Sequence, residues 1–193
     1  MIFSIVLLLL ISPTNSVHAY QYNTFNHRNM YGVTYQKYWV RNNASNWDRR
    51  WINNTMYNWN SSNGTGIWTP ISISYTSNRS ASIMDFQYSN TWWDGDLYRA
   101  GETTFFLSNG KKTGMNVSNW SCALIQYGGF AFNNINRDLK AKVFAHEIGH
   151  AFGLWHNDDP YYNSVMRPNV EDISYGLYGP TANDLAGINF LYR

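Results

Sequence analysis

One cysteine, Cys122, stands alone among 193 residues, so no internal disulfide can form. Charge is scarce too: 13% of the residues are charged, and 14 basic against 12 acidic side chains leave a net charge of +2. The longest basic runs are the pairs Arg49-Arg50 and Lys111-Lys112, far short of the clustered positive face that grips nucleic acid. Five prolines and 14 glycines exclude a collagen-like or low-complexity chain. No internal repeat and no linker divides the sequence, and its length suits one domain able to bury a core without disulfide staples. Polarity comes from Asn, Ser, Thr and Tyr, alongside nine Trp and 15 Tyr. These aromatics either build core and strands or line a groove for an extended polymer.

A long apolar run occurs in one place. Residues 2–11, Ile-Phe-Ser-Ile-Val-Leu-Leu-Leu-Leu-Ile, end at Ser12-Pro13 and precede Val17-His18-Ala19. This pattern predicts a signal peptide over 1–19, cleaved after Ala19, and a single mature domain over 20–193. No Lys or Arg precedes the block, which leaves an uncleaved anchor as the alternative, although ten apolar residues are too few to span a bilayer comfortably. The expected product is therefore a secreted, extracellular protein, monomeric, with no nucleic-acid partner and no stable membrane insertion. In that setting Cys122 is either a small buried hydrophobe or an exposed thiol that pairs with another molecule. Seven Asn-x-Ser/Thr sites, at Asn43, Asn53, Asn60, Asn63, Asn78, Asn116 and Asn119, are glycan acceptors in a eukaryotic secretory pathway or accidents of an Asn-rich composition.

Residues 31–40 are rich in β-branched and aromatic side chains and predict a strand. A helix follows, capped by Ser45 or Asn46, with Trp47, Trp51, Ile52, Met56 and Trp59 at helical spacing and Asn63-Gly64-Thr65-Gly66 ending it. Residues 71–75, 83–88, 103–107 and 122–132 predict further strands. Between them lies Asp94-Gly95-Asp96, read as a turn; as a Ca²⁺ site its two carboxylates fall short of the six to eight oxygens that ion takes. A second helix begins near Asn136 or Arg137, with Leu139, Val143, His146 and His150 on one stripe and Phe144, Ile148 and Phe152 on the other.

That helix carries the most informative stretch, His146-Glu147-Ile148-Gly149-His150-Ala151-Phe152-Gly153-Leu154-Trp155-His156. Positions four apart on a helix lie one above the other, so His146 and His150 can aim two imidazoles at one ion, with Glu147 beside them but off the ion. A third ligand six residues beyond His150 cannot share the straight helix face. Gly153 allows the positive φ that turns the chain back and makes His156 that ligand. At this composition the whole pattern arises by chance with a probability of about four in a million. Three ligands leave a fourth position open, which favours a catalytic zinc over a closed structural one. Three neutral imidazoles keep the ion positive, which acidifies a water it holds, and Glu147 is placed to act as general base.

This stretch, with Ser164-Val165-Met166-Arg167-Pro168 downstream, resembles the metzincin zinc endopeptidases, and within them the matrixins, the matrix-metalloproteinase type. Asp159-Pro160 before that turn, Pro168-Asn169-Val170 after it, and residues 180–192 extend the likeness. The resemblance implies an α+β, metzincin-like fold: a twisted, mostly parallel sheet, two long helices, and a C-terminal helix after a methionine turn in which Met166 floors the zinc site. Independently, Thr181 and Asp184 form a capping-box-like start for that last helix, and Leu185, Ile188 and Tyr192 give it an apolar face. The implied activity is zinc-dependent endopeptidase cleavage of protein or peptide substrates. The resemblance also places residues 170–183, with Ile173, Tyr175, Leu177 and Tyr178, on the wall of the pocket beyond the scissile bond.

Departures from the family pattern carry expectations of their own. Matrixins usually hold a second, structural zinc with three His and one Asp, whereas only His18 and His27 lie outside the motif here, so one zinc per chain is expected. No cysteine lies between Tyr20 and the first strand to cap the metal, and Asn183 stands where the family tends to have an Asp. The chain is thus expected to be active once folded, with inhibition by residues 20–31 through His27 as the rival. The alternative to an enzyme is a zinc-stabilised extracellular binding module whose aromatics grip a polymer while Glu147 is idle.

Overall fold

The structure, a computed structural model, describes residues 23–92 and 94–193; the expected signal peptide lies outside them. Strand β1 (Gln36–Val40) starts later than the apolar run suggests, because Gly32 and Tyr35 adopt φ of 74° and 56° and interrupt extension. Helix α1 (Asn46–Asn60) follows, its first turn closed by a reciprocal capping box between Ser45 and Asp48. It carries the chain over to β2 (Ile73–Tyr75), which pairs parallel with β1. Strand β3 (Met84–Ser89) pairs parallel with the other side of β1 and with β6 (Cys122–Gly128). Strand β4 (Gly101–Phe106) runs antiparallel to β6, and the two-residue β5 (Lys112–Thr113) covers only Phe105 and Phe106 of β4. The order β2-β1-β3-β6-β4-β5 is the mostly parallel sheet that the resemblance implies.

The expected strand over 122–132 stops early. Gly128 and Gly129 adopt φ of 128° and 69°, and a Cβ on Gly128 would overlap the Ser89 carbonyl oxygen. The chain turns there into the short helix α2 (Gly129–Asn134). Helix α3 (Arg137–Ala151) is capped by the Asn136 side chain, which accepts from the Leu139 N–H. Every residue from Ala141 to Gly149 is buried, so α3 lies inside the fold and not on a two-faced surface. Phe144 and Ile148 join Trp59, Phe86 and Ile125 in the core between helices and sheet. Helix α4 (Ala182–Tyr192) has the expected capping box of Thr181 with Asp184, and buries Leu185 and Ile188. Two 15-residue helices, a mostly parallel sheet and a closing helix make up the α+β arrangement expected. Among the described residues no helix is long and apolar enough to cross a membrane.

Candidate metal centre

His146 and His150 project from the last turns of α3, and Gly153, at φ 103°, reverses the chain so that His156 returns towards them. One nitrogen from each ring lies within 4.8 Å of the others. The outer nitrogens of the two helical rings are spoken for. His146 Nδ1 lies 2.9 Å from the Val165 carbonyl oxygen and His150 Nδ1 lies 2.8 Å from that of Leu154. Protons on both Nδ1 atoms leave each Nε2 as a bare lone pair, and that of His150 faces His156 Nε2 at 3.2 Å. Burial, reinforced by the neighbouring imidazoles, pushes His146 down to about 4 and His150 well below the ordinary histidine value; burial also lowers His156. Three neutral imidazoles with converging lone pairs fit Zn²⁺, a borderline-soft ion that takes nitrogen ligands in tetrahedral sites.

Glu147 is 6% exposed and lies beside this cluster. The Thr103 hydroxyl lies 2.7 Å from its Oε2. Burial drives the carboxyl up to about 7, against that hydrogen bond. Strand β4 passes so close that a Cβ on Gly101 would sit 2.7 Å from Glu147 Oε1. Met166 is buried against α3, where a Cβ on Gly149 would overlap its sulfur. The Met166 turn is tied down by Asp184, whose carboxylate accepts from the Ser164 hydroxyl and the Val165 N–H.

These groups open onto a cleft of about 610 Å³ lined by Thr103, Val143, Pro168, Val170 and Glu171 among others. The pocket wall differs from the expectation. Residues 168–171 reach the cleft, whereas Ile173 turns into the core at 2% exposure, Tyr175 stands in solvent at 89%, and the Tyr178 hydroxyl donates to Asp138 at 2.7 Å. Cys122 lies half-buried at the start of β6, burial pushing its thiol up to about 12. His27 is not part of the imidazole cluster. Asp94 and Asp96 form the expected turn, with their carboxylates 2.9 and 3.3 Å from the Arg99 guanidinium. Thr103, Gly101 and Asp184 escaped the sequence reading as site residues; only Asp184 left a signal there, as a helix cap.

No curated protein sequence matches the chain. Among solved structures it is similar to high choriolytic enzyme 1, a hatching-enzyme zinc protease from the medaka fish Oryzias latipes, with 16% identity, 86% of this chain and 92% of that one covered, and a TM-score of 0.42. It is also similar to metalloproteinase-II from Bacteroides fragilis, with 12% identity, 86% of this chain and 55% of that one covered, and a TM-score of 0.46. The family model described as matrixin matches residues 37–193, from β1 through the imidazole cluster to the end of α4. The chain belongs to the matrixin family of zinc metalloendopeptidases.

Proposed function

We propose that this chain is a secreted endopeptidase that cleaves within peptide chains at one zinc site formed by His146, His150 and His156, with Glu147 as the catalytic base. The observation that carries this reading is the convergence of three imidazole nitrogens beside a buried carboxylate at the floor of an open cleft. Three protein ligands leave a coordination position for the reaction. Bound there, zinc would supply the Lewis acidity that polarises a peptide carbonyl and acidifies the attacking water.

The chain's own groups do the rest. Thr103 satisfies Glu147 Oε2, which leaves Oε1 to take the proton from the attacking water and then hand it to the departing amine. Because β5 covers only the last two residues of β4, residues 101–104 keep an outer edge to which an extended substrate backbone can add as a further strand. Val143, Pro168 and Val170 offer an apolar surface to the side chain beyond the scissile bond. In this reading residues 1–19 direct export, residues 20–193 act as one monomeric domain outside the cell, and the substrate is protein or peptide.

Cleavage profiling of the chain beginning at Tyr20 on a peptide library tests the proposal. The expected result is internal cleavage that a chelator abolishes and zinc restores. Binding of the library without cleavage would favour the binding module.

A further inference from the structure

We infer that residues 23–29, which precede the part of the chain matched by the family, belong to the working metal centre, with Phe25 a positioning residue for His150 and His156. This rests on the zinc reading above. Residues 23–25 run antiparallel to the turn that joins the second and third imidazoles, bridging Thr24 to Leu154. The Phe25 N–H donates to the Gly153 carbonyl at 2.9 Å, and the Trp155 N–H donates to the Asn23 carbonyl at 2.9 Å.

The second of those bonds falls on a particular peptide group. The carbonyl of Leu154 accepts from His150 Nδ1, and the N–H of the same peptide unit, that of Trp155, donates to Asn23. The plane that sets the proton and orientation of His150 is thus held from its far side by residue 23. Hydrogen bonds in such a chain polarise one another, and the acceptor behind a ligating imidazole fixes both its tautomer and its aim.

The side chain acts on the same two rings. Phe25 is 3% exposed, and its ring lies nearly parallel to that of His150, with centroids 5.7 Å apart and planes at 17°. Its edge meets Trp155 at 5.2 Å, and Trp155 leans on His156 at 5.5 Å. One phenyl ring therefore packs on one imidazole directly and on another through a single neighbour.

The segment is also anchored beyond the turn, which an idle terminal tail would not be. The Arg28 N–H donates to Asn119 Oδ1 at 2.9 Å, the Met30 N–H to the Trp120 carbonyl at 2.8 Å, and the Arg28 guanidinium to the Leu191 carbonyl. An inhibitory segment would reach into the cleft with a ligand, yet His27 stays out of the imidazole cluster. Trimming past Phe25 therefore removes function and does not release it.

The test compares a chain beginning at Tyr20, one beginning at Met30, and Phe25→Ala, Phe25→Leu and Ile73→Ala in the longer chain. Zinc affinity is measured by competition with a chromophoric chelator, ligand geometry by the visible spectrum of the cobalt-substituted protein, and the metal-free fold by circular dichroism. The Met30 chain and Phe25→Ala should bind zinc about 10- to 100-fold more weakly, the range for losing a group that orients a metal ligand, and Phe25→Ala should shift the cobalt spectrum. Phe25→Leu, which keeps most of the volume, should recover part of the affinity and covers the case in which Phe25→Ala fails to fold. Ile73→Ala, buried in β2 away from the turn, should lower the melting temperature while leaving zinc affinity and the cobalt spectrum alone. Unchanged affinity in both the Met30 chain and the Phe25 variants, or a gain of activity on truncation, would overturn the inference. If the unaltered Tyr20 chain bound neither zinc nor cobalt, the zinc reading beneath it would fall instead.

Discussion

The Nδ1 of His146 lies 2.9 Å from the carbonyl oxygen of Val165, so the first imidazole of the cluster is aimed by the residue just before Met166. That carbonyl is fixed in turn by Asp184, which receives the Val165 N–H at 3.2 Å and the Ser164 hydroxyl while also capping α4. Burial raises the Asp184 carboxyl above the usual aspartate range, and its hydrogen bonds from Ser164, Thr181 and Val165 oppose that rise. Asp184→Ala leaves several of those buried donors unpaired, at a cost of about 3 kcal/mol in stability. It should also weaken zinc binding about tenfold or more through His146. Urea unfolding of the metal-free protein and chelator competition separate the two effects.

A second prediction concerns the approach of β4 to Glu147. Gly101→Ala would place a methyl 2.7 Å from Glu147 Oε1 and 2.8 Å from Val143 Cγ1, so the carboxylate must move. A displacement of about 1 Å is worth about 100-fold in rate. Steady-state kinetics should show the loss in kcat, with zinc content still one per chain.

The motif was legible because its members are local. His146, Glu147 and His150 share one helix, and Gly153 announces the reversal that returns His156. What surrounds them is not local. Thr103 and Gly101 reach Glu147 because β4 pairs antiparallel with β6, a register that no short window of sequence contains. Phe25 reaches His150 from far upstream, before the first strand of the sheet. Asp184 was visible only as a helix cap, since its second task depends on where the Met166 turn packs. The fold was legible to the same degree. The cap candidates before α1, Ser45 among them, and the Thr181–Asp184 pair before α4 marked helix starts, whereas Gly128 and Gly129 ended β6 inside an apolar run that read as continuous. Ile173 looked like pocket wall by position, yet it is buried directly after the single turn Val170–Asp172, which buries none of its own residues.

The first turns of α3 offer a third test. Lys142 Nζ lies 2.7 Å from Asp138 Oδ2, with the lysine side chain 4% exposed, and the Tyr178 hydroxyl donates to the same carboxylate. Burial alone would raise the Asp138 carboxyl, but Lys142 and Tyr178 hold it below its ordinary value. A lowered folded-state value means that the pair's contribution is full above the unfolded aspartate range and disappears as pH falls through the folded one. Asp138→Asn should therefore cost about 2 kcal/mol near neutral pH, between the values for exposed and buried pairs. The gap from the unaltered protein in urea unfolding should close in acid, and Lys142→Met should cost less than Asp138→Asn, because the carboxylate it leaves is part-exposed and keeps the Tyr178 hydroxyl, whereas Asp138→Asn strands a buried ammonium.

The central claim is that Glu147 moves the proton while His146, His150 and His156 hold the metal. Glu147→Gln, assayed side by side for bound zinc and for peptide turnover, tests it most directly. The expected result is one zinc per chain, as in the unaltered protein, with turnover lower by about 1,000-fold, inside the range for removing a general base. Turnover close to that of the unaltered protein, with zinc still bound, would contradict the account.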